Sequence, residues 1–198
     1  MSLTGLARTV SSLVAGAVVA AGVAGPASAG SERVRDPGGD VLSGPYSSDD
    51  LPTRPEPERR VGDIVRTEVR LGTDLVVTTR FRGLAASGGQ EFQWLILTSE
   101  DEFSWTADLT VRAGQDHGHF SLIDPVANQP GCGKAVLDRP GRRLTLTIPA
   151  DCLGDPAWVR VAHGVQTFVG QSRVYVDDAR RDGAVRHGWK YGPKVTAS

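Results

Sequence analysis

The stretch Val65-Arg66-Thr67-Glu68-Val69-Arg70-Leu71-Gly72-Thr73-Asp74-Leu75-Val76-Val77-Thr78-Thr79-Arg80-Phe81-Arg82 decides the fold class. Val65, Thr67, Val69 and Leu71 alternate with Arg66, Glu68 and Arg70. Beyond Gly72-Thr73-Asp74, the residues Leu75, Val77, Thr79 and Phe81 alternate with Val76, Thr78, Arg80 and Arg82. A period of two on both sides of a turn predicts a β-hairpin with one buried face. Matching the apolar faces selects a loop of Gly72, Thr73 and Asp74, which pairs Val69 with Val77, Thr67 with Thr79 and Val65 with Phe81. A slip of one residue would turn the apolar set outward. The other face then carries Arg66, Arg80 and Arg82 around Glu68.

Outward from this hairpin, short strands are expected at Glu91 to Ser99, Phe103 to Arg112, His119 to Ile123, Lys134 to Arg139, Arg143 to Ile148, Trp158 to Ala162 and Val174 to Val176. They are punctuated by Gly88-Gly89, Pro130-Gly131, Pro140-Gly141 and Gly154-Asp155-Pro156. With 24 Gly and 12 Pro in 198 residues and no long amphipathic helix, the chain reads as all-β: an antiparallel two-sheet sandwich, jelly-roll-like. Pro140 cannot open a primed two-residue turn. A loop of Pro140, Gly141 and Arg142 therefore sets Arg139 opposite Arg143 and Val136 opposite Leu146, and brings Cys132 near Cys152. These are the only two cysteines. In a secreted chain such a pair forms a disulfide.

Secretion is read from residues 1–29. Arg8 precedes a weakly apolar run from Leu13 to Ala24, followed by Pro26 and Ala27-Ser28-Ala29, the order of a cleaved signal peptide. The run is too short and too rich in Ala and Gly to cross a bilayer, so no membrane span is expected after cleavage. Residues 30–60 are rich in Pro, Gly, Ser and acidic side chains and are expected to form a flexible arm, with Val41 and Leu42 as its point of docking if it docks. The sandwich domain is then 61–198. A net charge of -1 gives no basic footprint for nucleic acid.

Candidate chemistry is sparse. Asp36, Asp40 and Asp63, with Asp177 and Asp178 distant in sequence, would bring oxygen ligands together for a structural calcium ion if the arm folds back along the sheet edge. Their spacing is not that of a calcium-binding loop, and turn chemistry is the plain alternative. In Asp116-His117-Gly118-His119 two imidazoles share one strand face, but no third metal ligand accompanies them. No nucleophile stands in an elbow or triad context, so no enzyme is expected. Among the aromatics, Trp105 shares parity with core positions. Trp158 has the opposite parity from Val159 and Val161, beside Arg160, and the pair is the expected ligand surface. His163 and His187 read as local hydrogen-bonding residues.

Leu146-Thr147-Ile148-Pro149, Cys152-Leu153-Gly154, Pro156, Trp158-Val159-Arg160-Val161 and Val174-Tyr175-Val176-Asp177-Asp178 resemble a group of exported actinobacterial proteins. They are also similar to the end of sandwich modules related to family-nine carbohydrate-binding modules and DOMON domains. The resemblance covers roughly Asp36 to Asp178 in layout and is specific over about the last third. It implies a jelly-roll-like sandwich and ligand binding, with no enzyme. No paired-aromatic sugar clamp or haem ligand matches, so no ligand site is carried over. The expected function is a secreted binding module for a carbohydrate or cell-wall glycan. The alternative is an extracellular structural or protein-interaction domain meeting an acidic envelope protein through Arg66, Arg80 and Arg82.

Overall fold

The computed structural model describes residues 30–46, 51–86, 89–115, 117–124, 132–170, 172–184 and 188–198. The signal peptide expected over 1–29, together with Asp116 and His187, lies outside them. The strands are β1 (Ser31–Arg35), β2 (Leu42–Pro45), β3 (Arg54–Pro55), β4 (Ile64–Leu71), β5 (Asp74–Phe81), β6 (Gln90–Thr98) and β7 (Trp105–Val111). They continue as β8 (His119–Ile123), β9 (Lys134–Asp138), β10 (Arg143–Pro149), β11 (Trp158–Val169), β12 (Arg173–Asp178) and β13 (Val195–Thr196). One sheet has the order β1-β4-β5-β10-β9; the other runs β3-β2-β12-β11-β6-β7-β8, with β13 beside β11. All strand pairings are antiparallel. The sheets pack face to face as a sandwich, with Leu75, Val77, Leu144, Leu146 and Ile148 of one meeting Phe92, Trp94, Ile96, Val159 and Val161 of the other in one core.

The deciding hairpin has the expected register at Thr67↔Thr79, Val69↔Val77 and Leu71↔Leu75. It departs at its open end, where a β-bulge at Val65 makes Ile64, not Val65, the partner of Phe81. The bulge is held from outside the hairpin: the Ile64 N–H donates to the Asp177 carboxylate at 2.6 Å. Beyond it Arg82 leaves the basic face and pairs with Asp63 at 2.7 Å.

The second hairpin is shifted by one residue from expectation, with Asp138 opposite Arg143 and Ala135 opposite Leu146. Its turn holds four residues because Arg142 adopts a left-handed conformation (φ 50°) and its N–H donates to Arg139 O at 3.1 Å. The Asp138 carboxylate accepts the Gly141 N–H at 2.9 Å. This register puts Leu137 beside Leu144 on the inner side and leaves Asp138 and Arg143 outside, paired at 3.2 Å. The Cys132–Cys152 disulfide is present, its second half in a single 3-10 turn, Ala150–Leu153.

The described residues of the 30–60 segment, 30–46 and 51–60, correct the expectation of a flexible arm, because they carry β1, β2 and β3 and so belong to the sandwich. β1 pairs along its whole length with β4, β2 extends the other sheet beside β12, and Val41 and Leu42 are buried. Low apolar content did not prevent ordering because β1, β2 and β3 join existing sheets, whose ladders satisfy the backbone directly. β11 is also longer than expected. It continues through His163-Gly164 because both faces are covered there: His163 stacks on Trp94 (centroids 4.9 Å apart), and the Trp189 ring lies against Gly164. A Cβ at position 164 would overlap that ring. Gly164→Ala is expected to expel Trp189, break its 2.7 Å hydrogen bond to Gln93 and cost about 1–3 kcal/mol. Urea melts read by tryptophan fluorescence check this, and an unchanged midpoint would contradict the packing.

Candidate metal centre

At one end of the sandwich the chain crosses from β1 in one sheet to β2 in the other, and the crossing carries Asp36 and Asp40. Asp63 precedes β4, and Asp177 and Asp178 end β12. Three segments distant in sequence thus deliver carboxylates to one place between the sheets. The crossing turns through Gly38 and Gly39, both at positive φ (55° and 89°), where a side chain would be strained. The Gly39 N–H donates to Asp63 Oδ2 at 2.8 Å, locking the crossing onto the loop before β4.

Within this cluster some carboxylates are satisfied. Asp63 Oδ2 also accepts from Arg82 at 2.7 Å. Asp178 accepts the N–H groups of Arg180 and Lys190 at 3.1 and 3.0 Å and an ion pair from Arg181 at 3.1 Å. Asp40 Oδ2 accepts the Gly183 N–H at 3.1 Å, and Asp177 accepts that of Ile64.

Others are not. Asp36 is 7% exposed, and both of its carboxylate oxygens are buried with no hydrogen-bond partner; Asp40 Oδ1 and Asp63 Oδ1 are in the same condition. Oxygens of Asp36, Asp40 and Asp177 lie within 4.8 Å of one another. Burying unpaired carboxylates together is costly unless a cation or a proton neutralises them. Burial, then the charges of Asp177, Asp40, Asp178 and Asp63, push the Asp36 carboxyl up to about 9. Burial also raises Asp40 and, against the pull of Gly39 and Arg82, Asp63. Asp177 is pushed well above its usual range by burial and by Asp40. Asp178 is raised by burial despite its donors.

An all-oxygen set of carboxylates with free lone pairs suits a hard divalent cation, and calcium, which tolerates irregular oxygen geometry, suits it better than magnesium with its strict octahedron. The carboxylates of Asp36 and Asp40 lie together at this end of the sandwich. Asp63 adjoins them, but Asp177 completes the close trio.

The other expected sites fare differently. The C-terminal segment lies over the Trp158 and Arg160 face: Lys194 Nζ sits 3.8 Å from the centre of the Trp158 ring, and Arg160 Nε donates to Gly192 O at 2.8 Å. Trp105 is in the core, as expected, its Nε1–H given to Asp101 at 2.7 Å. Trp94, which periodicity left unassigned, is fully buried. His117 and His119 are exposed beside a shallow surface hollow with Gln115 and Gly118. His163 is buried and bonded through Nδ1 to Gln93 O at 2.9 Å, and burial lowers its pKa to about 4, so it is a neutral core residue. Among the described residues no helix is long and apolar enough to cross a membrane. In comparisons with known proteins, no family model matches the chain and no curated sequence is significantly similar to it.

Proposed function

We propose that the chain is an exported, non-catalytic β-sandwich binding module for an extracellular glycan, braced by one structural calcium ion between its two sheets. The observation that carries the calcium reading is Asp36, whose two carboxylate oxygens are buried and unpartnered beside Asp40 and Asp177. A cation there joins the β1–β2 crossing to the end of β12, so it ties the passage between the two sheets to the core. The glycan reading is supported by the sandwich architecture and by the resemblance of the Leu146 to Asp178 stretch to carbohydrate-binding modules.

Calorimetric titration of chelator-treated protein with calcium is expected to show one ion per chain, and Asp36→Asn and Asp177→Asn each weaken it at least about tenfold. Asp177→Asn keeps an oxygen for the Ile64 N–H, so the fold is retained. No binding by the wild type, or unchanged binding by both variants, would remove the calcium from the proposal.

A further inference from the structure

The outer face of the five-stranded sheet carries a row of arginines that strand pairing places side by side. Arg35 is opposite Arg66, Arg66 opposite Arg80, and Arg80 opposite Arg143, so four adjacent strands each present a guanidinium at one level. Directly opposed like charges destabilise a sheet. Only Arg143 has an acidic partner, Asp138; Arg35, Arg66 and Arg80 have none among the described residues. In the next level Arg33 and Arg70 both converge on Glu68. Arg66, Arg70, Arg80, Arg143, Glu68 and Thr78 line a groove of about 220 Å³ on this face. The whole chain is close to neutral, so positive charge is segregated here.

We propose that this groove binds an anionic polysaccharide laid across the strands. This rests on the reading of the chain as a glycan-binding module and places the ligand on the arginine row. Strands about 4.8 Å apart spread the four arginines over roughly 14 Å, more than one small anion can touch, so a linear polyanion fits the row. Guanidinium groups are suited to sulfate, phosphate or carboxylate oxygens. The hydroxyls of Thr78 and Thr145, opposite each other in the next level, suit sugar hydroxyls. This face has no aromatic side chain on which nucleic-acid bases could stack. It also lacks the aromatic anchor that protein interfaces are built around.

The test measures binding of the full chain, in calcium, to dextran sulfate, polygalacturonate and uncharged dextran. Wild type is expected to bind one or both anionic polymers and not dextran, and to weaken at least about tenfold between about 50 and about 300 mM salt. The double variant Arg66→Ser, Arg80→Ser is expected to lose binding at least about tenfold while melting at the same temperature or higher, because opposed charges are relieved. A double variant at exposed arginines elsewhere, Arg112→Ser with Arg173→Ser, keeps binding. Four results would overturn the proposal: no retention of either anionic polymer, equal loss in the Arg112 and Arg173 variant, equally tight binding of duplex DNA, or a lower melting temperature for the groove variant. Failure here with calcium binding and retention on a neutral glycan intact would remove the groove and leave the module reading standing; no retention on any glycan would remove both.

Discussion

Calcium-free protein is expected to melt at a higher temperature at pH 5 than at pH 8, the reverse of ordinary acid sensitivity. The unfolded Asp36 carboxyl titrates near 3.8 and the folded one near 9, so between these values the native chain holds a proton that the unfolded chain releases. A raised folded-state pKa gives stability that is complete below the unfolded value and lost as pH climbs through the folded one. Each pH unit in that window removes about 1.4 kcal/mol per extra proton held, so three units remove about 4 kcal/mol, on the order of 10 °C in melting temperature. Asp40 and Asp177 shift the same way, as do Asp63 and Asp178 despite Arg82, Arg180 and Arg181; buried His163, its pKa lowered to about 4, opposes the trend because only the unfolded imidazole gains a proton by pH 5, and it offsets part of the gain. Calcium replaces the proton, so saturating calcium is expected to restore most of the loss at pH 8 and do little at pH 5. Asp36→Asn is expected to reduce the pH dependence in chelator and to shift the calcium response to at least about tenfold higher calcium. Calorimetric melts with chelator or calcium at both pH values read all of this, and chelated wild type that melts higher at pH 8 would refute the electrostatic account of the cluster.

Removing the disulfide is expected to have the second-largest effect. Cys132 and Cys152 are 6.0 Å apart at Cα and close 20 residues of chain, which stabilises by roughly 3 kcal/mol through the unfolded state. The bridge ties the entry to β9, which among the described residues pairs with β10 alone, to the 3-10 turn between β10 and β11. Replacing both cysteines by Ser is expected to lower stability by about that amount in urea melts. Amide exchange in β9 is expected to rise before that in β10, because β9 would keep one neighbouring strand and lose its tether. Equal stability, or equal protection of the two strands, would show that the bridge is dispensable.

The sequence was legible where alternation was clean and a turn lay nearby. Val69, Thr67 and Leu71 found their partners because a single buried face admits one register. It was less legible where a turn depended on one residue's backbone: Arg142 at positive φ moved the β9–β10 register by one. It failed at Val65, where the bulge answers to Asp177, 113 residues beyond its bonding partner Ile64. It failed again over residues 30–46 and 51–60, where composition pointed to a flexible arm and pairing into the two sheets produced strands. Asp36, Asp40 and Asp63 could be suspected from their residue type alone. Arg66 and Arg80 could be placed on one face from their own hairpin, whereas Arg35 and Arg143 join them only through strands paired from elsewhere in the chain.

By itself, the order of residues determined that this chain makes an all-β sandwich with one available disulfide, because alternation and turn residues act within a few positions of one another. Only the tertiary structure decided that Asp177 stands with Asp36 and Asp40 and that four arginines share one level of a sheet. Both arrangements are made by strands distant in sequence, and long-range pairing alone sets which of their charges meet.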